Sequence, residues 1–382
     1  MPRRLKIPGL HERAGKSPIY AMMRSMSDTI ALLSQSLADD FHVLPLQMPD
    51  AAIFMAVAVP LWEGVTGLKP RLPAGRGMSL QHSVLTAAAE ALELRASLAQ
   101  NHPDAGASGA KTDGFAQIPA VDLVRGDTVH VPAQAVYLDF ANHAQEPLVT
   151  DADSTGCATG PSREAALLHG VLECIERDAV ALWWYGGLQR PAVPLDAIDA
   201  LQPRLFWWLQ ERLRETTLLD LQTDNGVPVI VALSCLPDGS EIALGSAAGA
   251  TQADAALAAI TEMIQTETAI NQARVANDPA VLDWIACGSM RSMIQFKALP
   301  AGTPPPKPDN SLGAILHRLA NAGHRALAVD LTLPNDPMPT VRVMVPGFCA
   351  MGGRIDALRY ERLIRKPFAN LRLGPTEILD PF

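Results

Sequence analysis

Apolar residues recur at three- and four-residue intervals over 19–39 (IYAMMRSMSDTIALLSQSLAD), 79–99, 162–184, 251–274 and 310–322, the spacing of helices with one buried face. Runs rich in Val and Ile and bounded by turn residues predict strands at AAIFMAVAVPL (51–61), VPVIVALSCL (227–236) and PTVRVMVPGF (339–348). Helices and strands alternate, but not in the short regular units of a parallel sheet, which predicts an α+β fold of mixed sheets packed with helices. QNHPDAGASGAKTDG (100–114) is a polar loop, and the proline-rich connector LPAGTPPPKPDN (299–310) cannot be helical. The tail RLGPTEILDPF (372–382) has no amphipathic pattern and is expected to be extended.

Three of the predicted helices share a finer pattern. GMSLQHSVLTAAAEALEL, GPSREAALLHGVLECIER and GATQADAALAAITEMIQT each place a Ser or Thr (Ser79, Ser162, Thr251) two residues after a glycine (Gly77, Gly160, Gly249). A glutamate follows eleven residues later in all three, at Glu90, Glu173 and Glu262, and three further on stand Glu93, Glu176 and Gln265. Ser and Thr accept hydrogen bonds from the orphan N–H groups of a first turn, so the three hydroxyls read as N-caps. Eleven residues is close to three whole turns and puts the first acidic group about 16 Å along the helix, on the side of its cap. Residues three apart share a face, so each pair is a two-pronged acceptor, here in small apolar surroundings.

Composition narrows what such acceptors serve. With 48% hydrophobic and 19% charged residues the chain is globular, and a net charge of -9 without a basic stripe argues against nucleic acid and anionic membrane surfaces. AAIFMAVAVPLW is too short to span a bilayer and no apolar segment follows MPRRLKIPGL as in a signal peptide, so a cytoplasmic chain is expected. The five cysteines (Cys157, Cys174, Cys235, Cys287, Cys349) are scattered and show neither a disulfide framework nor zinc-ligand spacing. No Ser/His/Asp or Cys/His arrangement stands out.

A lone pair of glutamates three apart is usually a solvated face or a local ion pair. Repetition at one spacing, with only Arg95 and Arg177 near, favours a shared site. If the three helices pack together, five carboxylates and one amide converge. Such a charge density needs cations, and oxygen-only ligands suit magnesium, which commonly bridges carboxylates to substrate phosphates. A nucleotide is the natural third party. A conventional phosphate loop is absent, since GLHERAGKS (9–17) is one residue too long and follows no strand. Arg76, in the turn AGRGMS, either reaches a phosphate or is an ordinary turn residue. Arg177, beside Glu176, either binds phosphate or forms a structural pair with a glutamate or with Asp178. Trp183, Trp184 and Tyr185 read first as core anchors, and stacking on a base is the lesser alternative.

These motifs resemble the YcaO-domain family. STGCATGPSREAALLHGVLECIERDAVALWWYGGLQRPAV is similar to its central motif, GRGMSLQHSVLTAAAEALEL to its first glutamate motif, LGSAAGATQADAALAAITEMIQ to its third, and DLTLPNDPMPTVRVMVPGF to its C-terminal strand and turn. The resemblance covers about residues 71–382 and points to the azoline-forming cyclodehydratases. It implies a YcaO fold over 71–382 with an extended C-terminal tail, preceded by a helix and strand segment, 1–70, that is a candidate partner-docking region. It also implies an ATP site with magnesium held by Glu90, Glu93, Glu173, Glu176 and Glu262. Arg76, Ser79, Arg177 and Gln265 are then expected at the nucleotide, Glu173 and Glu262 in catalysis, and the C-terminal Phe382 near the reacting centre. The implied reaction cyclises Cys, Ser or Thr of a ribosomal precursor peptide to thiazoline or oxazoline, ATP phosphorylating the amide oxygen so that it can leave. A precursor peptide, a separate ThiF-like leader-binding protein and an FMN-dependent dehydrogenase are the implied partners.

The chain departs from the family pattern at Thr155 and Pro161, where asparagine is expected, at Leu94, where Glu-Arg is usual, and in a tail that keeps only ILDPF. Thioamide formation on a peptide backbone, or a non-catalytic scaffold in a peptide-modifying complex, are therefore the alternatives.

Overall fold

The computed structural model describes residues 26–47, 52–62, 72–102, 105, 111–112, 114–150, 152–302, 309–352 and 354–365. The chain forms two compact units, Met1–Val171 with Leu312–Pro346, and Leu172–Ser311 with Gly347–Phe382.

The first unit opens with helix α1 (Met26–Leu37), strands β1 (Phe41–Leu46), β2 (Phe54–Pro60) and β3 (Ala74–Gly77), and helix α2 (Leu80–Ser97). The strands form an antiparallel sheet in the order β1-β2-β3. Leu33 and Leu37 of α1 close with Phe41, Ala58, Ala88, Ala91 and Leu92 into one apolar cluster, so the alanine-rich face of α2 lets other elements approach closely. Strands β4 (Lys111–Thr112), β5 (Phe115–Asp122) and β6 (Thr128–Pro132), the short helix α3 (Phe140–Ala144) and β7 (Cys157–Thr159) follow. The unit division falls within the long helix α4 (Arg163–Gly186).

The second unit continues with β8 (Ala192–Val193), α5 (Pro203–Glu211), β9 (Glu215–Asp220), β10 (Val229–Cys235), β11 (Ala243–Ala248), α6 (Gln252–Ala276) and α7 (Pro279–Cys287). Its sheet is antiparallel in the order β11-β10-β9-β8. Every residue of β10 is buried, which explains why its sequence is a continuous apolar run rather than an alternation. Helix α6 lies directly on β11: a Cβ at Gly245 would stand 2.2 Å from Met263 N and 2.3 Å from Ala259 O. Trp183 and Trp184 are buried with Trp284 and Phe296, the core role expected of them.

The chain then returns to the first unit with α8 (Leu312–Asn321), β12 (Leu327–Asp330) and β13 (Thr340–Met344). These complete a sheet in the order β4-β5-β12-β13-β7, with β6 beside β5, over a core that includes Ile118, Phe140 and Val329. Helix α9 (Ala357–Ile364) belongs to the second unit. The architecture is the α+β class expected, and the ladders of its named strands are antiparallel.

The predicted helices and strands all occur among the described residues, the first helix from Met26 onward. Those missed are short or compositionally disguised. β3 reads AGRG, without a β-former; β1 carries Pro45; α5 spans nine residues and buries only Leu205 and Leu209. The tail expected to be extended, Phe382 included, lies outside the described residues.

Candidate functional site

The three caps form as the repeat predicts. Ser79 accepts from His82 N at 3.2 Å, Ser162 from Ala165 N at 3.2 Å and Thr251 from Asp254 N at 3.1 Å. Each thus begins a helix that carries the spaced acidic positions: α2 with Glu90 and Glu93, α4 with Glu173 and Glu176, α6 with Glu262 and Gln265. The glycines before two of the caps are there for contact. A Cβ at Gly160 would come within 2.6 Å of Ala166 N, and one at Gly249 within 2.6 Å of Ala255 N.

The repeat is larger than its sequence signature. Each capped helix is preceded by a strand, β3, β7 or β11, and among the described residues each of these strands ends its sheet. The outward N–H groups of such end strands need acceptors. Here glutamates supply them. Glu90 Oε2 accepts from Ala74 N at 3.0 Å in its own repeat. Glu93 Oε1 accepts from Thr159 N at 2.7 Å, and Glu176 Oε2 from Ala248 N at 3.2 Å. Thr159 and Ala248 are the residues just before Gly160 and Gly249, so the second glutamate of one repeat binds the strand that opens the next.

In the second unit α4 and α6 bring two of the expected ligands together. Glu176 Oε1 accepts a further bond, at 2.6 Å, from the Ser246 hydroxyl on β11. Burial pushes the Glu176 carboxyl up from 4.5 to about 7, and the charge of Glu262 adds to the rise, while Arg177, Ser246 and Ala248 N–H oppose it. The ionised form of Glu176 is thus disfavoured, an arrangement that a cation relieves. Arg177 approaches Glu173 at 3.9 Å one turn back, a pair of the Arg–Glu kind. Asp178 is instead held by Arg359 of α9, at 2.6 and 2.5 Å, and by Cys349 N at 2.8 Å. Burial opposes the Arg359 charge, but the hydrogen bonds and charges of Asp178 and Asp224 raise its pKa above the ordinary arginine value. Burial, with the Asp178 charge beside it, pushes the Cys349 thiol up to about 12, which removes it as a nucleophile at neutral pH.

The remaining predicted residues take ordinary positions. Arg76 stands in β3 opposite Met55, and its carbonyl accepts from Thr86 Oγ1 at 3.3 Å. Gln265 lies one turn beyond Glu262 on α6, half-buried. Thr155, where asparagine was expected, closes a turn onto Asp153 through its N–H and hydroxyl, both at 2.9 Å. Sequence reasoning missed Ser246 and Arg359. The first had a signal, a single hydroxyl in the small apolar run ALGSAA; the second had none, being 181 residues from Asp178.

Among the described residues no three His, Cys, Asp or Glu side chains form a ready-made metal cage. Magnesium does not need one, because it commonly takes one or two carboxylates together with substrate phosphates and water. The oxygen-only donors and the strained ionisation at Glu176 suit such an ion. No described helix is long and apolar enough to cross a membrane.

A family model described as YcaO cyclodehydratase, ATP- and Mg2+-binding, matches residues 98–349. The chain belongs to the YcaO family. The match includes Glu173, Glu176 and Glu262 and begins after Glu90 and Glu93. An uncharacterised protein from the tfuA 3' region of Rhizobium leguminosarum bv. trifolii is 30% identical over 254 residues, which is 59% of this chain and 59% of that protein. Among solved structures, a heterocyclase in complex with substrate and cofactor superposes with a TM-score of 0.72 at 20% identity, over 85% of this chain and 53% of that one. YcaO from Methanopyrus kandleri, bound with AMPPCP and Mg2+, gives 0.66 at 20% identity, over 87% and 94%. The chain therefore spans little more than half the length of the first two, and at these identities the structural likeness defines the fold, that of the YcaO heterocyclases.

Proposed function

We propose that the protein is an ATP- and magnesium-dependent cyclodehydratase that converts Cys, Ser or Thr of a ribosomally made peptide to thiazoline or oxazoline. The observation that carries this reading is the pairing of Glu176 with Glu262 from two capped helices, one carboxyl group driven to about 7. Glu90, Glu93, Glu173, Glu176 and Glu262 are the magnesium ligands in this reading, with Arg76, Ser79, Arg177 and Gln265 at the nucleotide and Phe382 near the reacting amide. When bound, magnesium–ATP supplies the phosphoryl group that turns an amide oxygen into a leaving group. The chain's own residues then have to neutralise and orient the phosphates, which is where most catalysis of phosphoryl transfer comes from. The lack of a reactive thiol at Cys349 agrees with a reaction that needs no protein nucleophile. A precursor peptide, a ThiF-like protein that delivers it and an FMN-dependent dehydrogenase complete the proposed assembly, in the cytoplasm.

Calorimetry with magnesium and ATP, followed by mass spectrometry of a candidate peptide encoded beside the gene, tests this. Each ring appears as the loss of one water, and Glu173→Gln or Glu262→Gln abolishes it with the fold intact. Exchange of oxygen for sulfur would identify a thioamide-forming enzyme instead, and absence of nucleotide binding a scaffold.

A further inference from the structure

β11 reads ALGSAA, and its first five residues are buried. Within such a run alanine is the simplest filling for every small position, as at Ala243, Ala247 and Ala248. A hydroxyl buried there is unfavourable unless it is hydrogen-bonded. Ser246 is 1% exposed, and its hydroxyl donates to Glu176 Oε1 at 2.6 Å. Its position is fixed from two sides. It pairs with Val231 across the ladder, and its neighbour Gly245 has no room for a side chain against α6. With Ala248 N–H on Oε2, both oxygens of Glu176 are gripped by one strand, and the equivalent Glu93 accepts from Thr159 N in its next strand. The residue at the place of Ser246 in that strand is Cys157, whose sulfur faces Arg342 instead, at 3.1 Å.

We propose that Ser246 is a positioning residue of the candidate site: its hydroxyl and the Ala248 N–H form a two-pronged clamp that holds the Glu176 carboxylate in place, within electrostatic reach of Glu262. The clamp is a property of the ligand-free protein; its effect on magnesium rests on the function proposed above. A clamped carboxylate binds a cation without first losing rotamer freedom, and the bond to a charged acceptor is of the stronger kind.

The test compares wild type, Ser246→Ala and Ser246→Cys, the last keeping the volume with a weaker donor. In the ligand-free proteins, amide exchange at Ala248 is expected to accelerate about tenfold in Ser246→Ala, the factor carried by one hydrogen bond to a charged group, and less in Ser246→Cys. Exchange at Leu244, whose pairing with Leu233 does not involve Glu176, stays unchanged. The magnesium concentration for half-maximal ATP binding rises by a similar factor. Unaltered Ala248 exchange in Ser246→Ala overturns the clamp, and so does faster exchange along the whole strand, which marks a general packing role. A wild type that binds no magnesium–ATP overturns the functional reading alone, because the exchange comparison still decides the clamp.

Discussion

Replacing Glu176 by glutamine should stabilise the ligand-free protein increasingly as pH rises from 4.5 to about 7, fully above that, and change it little below 4.5. The folded chain holds this carboxyl at about 7 against an ordinary 4.5, so it binds the proton more tightly than the unfolded chain does. Below 4.5 both states are protonated and the group contributes no pH dependence. Between 4.5 and 7 the unfolded state ionises first and stability falls; above 7 the loss is complete. A displacement of this size corresponds to about 3 kcal/mol, reduced to about 2 because the residue keeps some contact with solvent. Urea unfolding of wild type and Glu176→Gln across this range measures it, since other titrating groups cancel in the difference. The wild-type curve should drop below that of the variant by about 2 kcal/mol on passing from acid to alkaline conditions. Magnesium with ATP should recover much of that loss in wild type and little in the variant. Parallel stability curves would refute the reasoning, because they would show that Glu176 ionises as freely in the folded protein as in the unfolded one.

Three further outcomes can be checked by the same unfolding measurement. Arg359→Met should cost about 3–5 kcal/mol by leaving Asp178 buried without its partner, and Asp178→Leu with Arg359→Met should recover most of it. Gly245→Ala should cost about 3 kcal/mol or prevent soluble expression, because the new Cβ meets the backbone of α6, which cannot step aside as a side chain can. Ser162→Ala and Thr251→Ala should each cost about 1 kcal/mol through a lost cap.

The capped, carboxylate-bearing helices were legible because cap, period and acidic spacing are all local: Ser79, Ser162 and Thr251 act on amides three residues away. The partners of the carboxylates were not. Glu93 reaches Thr159 across 66 residues and Glu176 reaches Ser246 across 70, contacts fixed by strand order rather than by pattern. The end strands themselves were hard to see, since AGRG and CAT are too short to alternate and the all-buried part of ALGSAA has no polar face. For Arg177 the sequence left a phosphate, a glutamate and Asp178 open; successive residues point to different faces of a helix, and the residue one turn back, Glu173, stands within 3.9 Å.

The reach of Glu93 and Glu176 from their helices to the main chain of β7 and β11 bears on how this family can decay. Losing either glutamate takes a hydrogen-bond acceptor from the main-chain N–H of Thr159 or Ala248, in strands that are largely buried, and so costs the fold as well as a ligand position. A lineage that abandoned turnover would still be selected to keep both, simply to stay folded. Their presence in a relative is thus a mark of a well-behaved sheet, and substitutions at Glu173 or Glu262 are the more informative trace of lost chemistry.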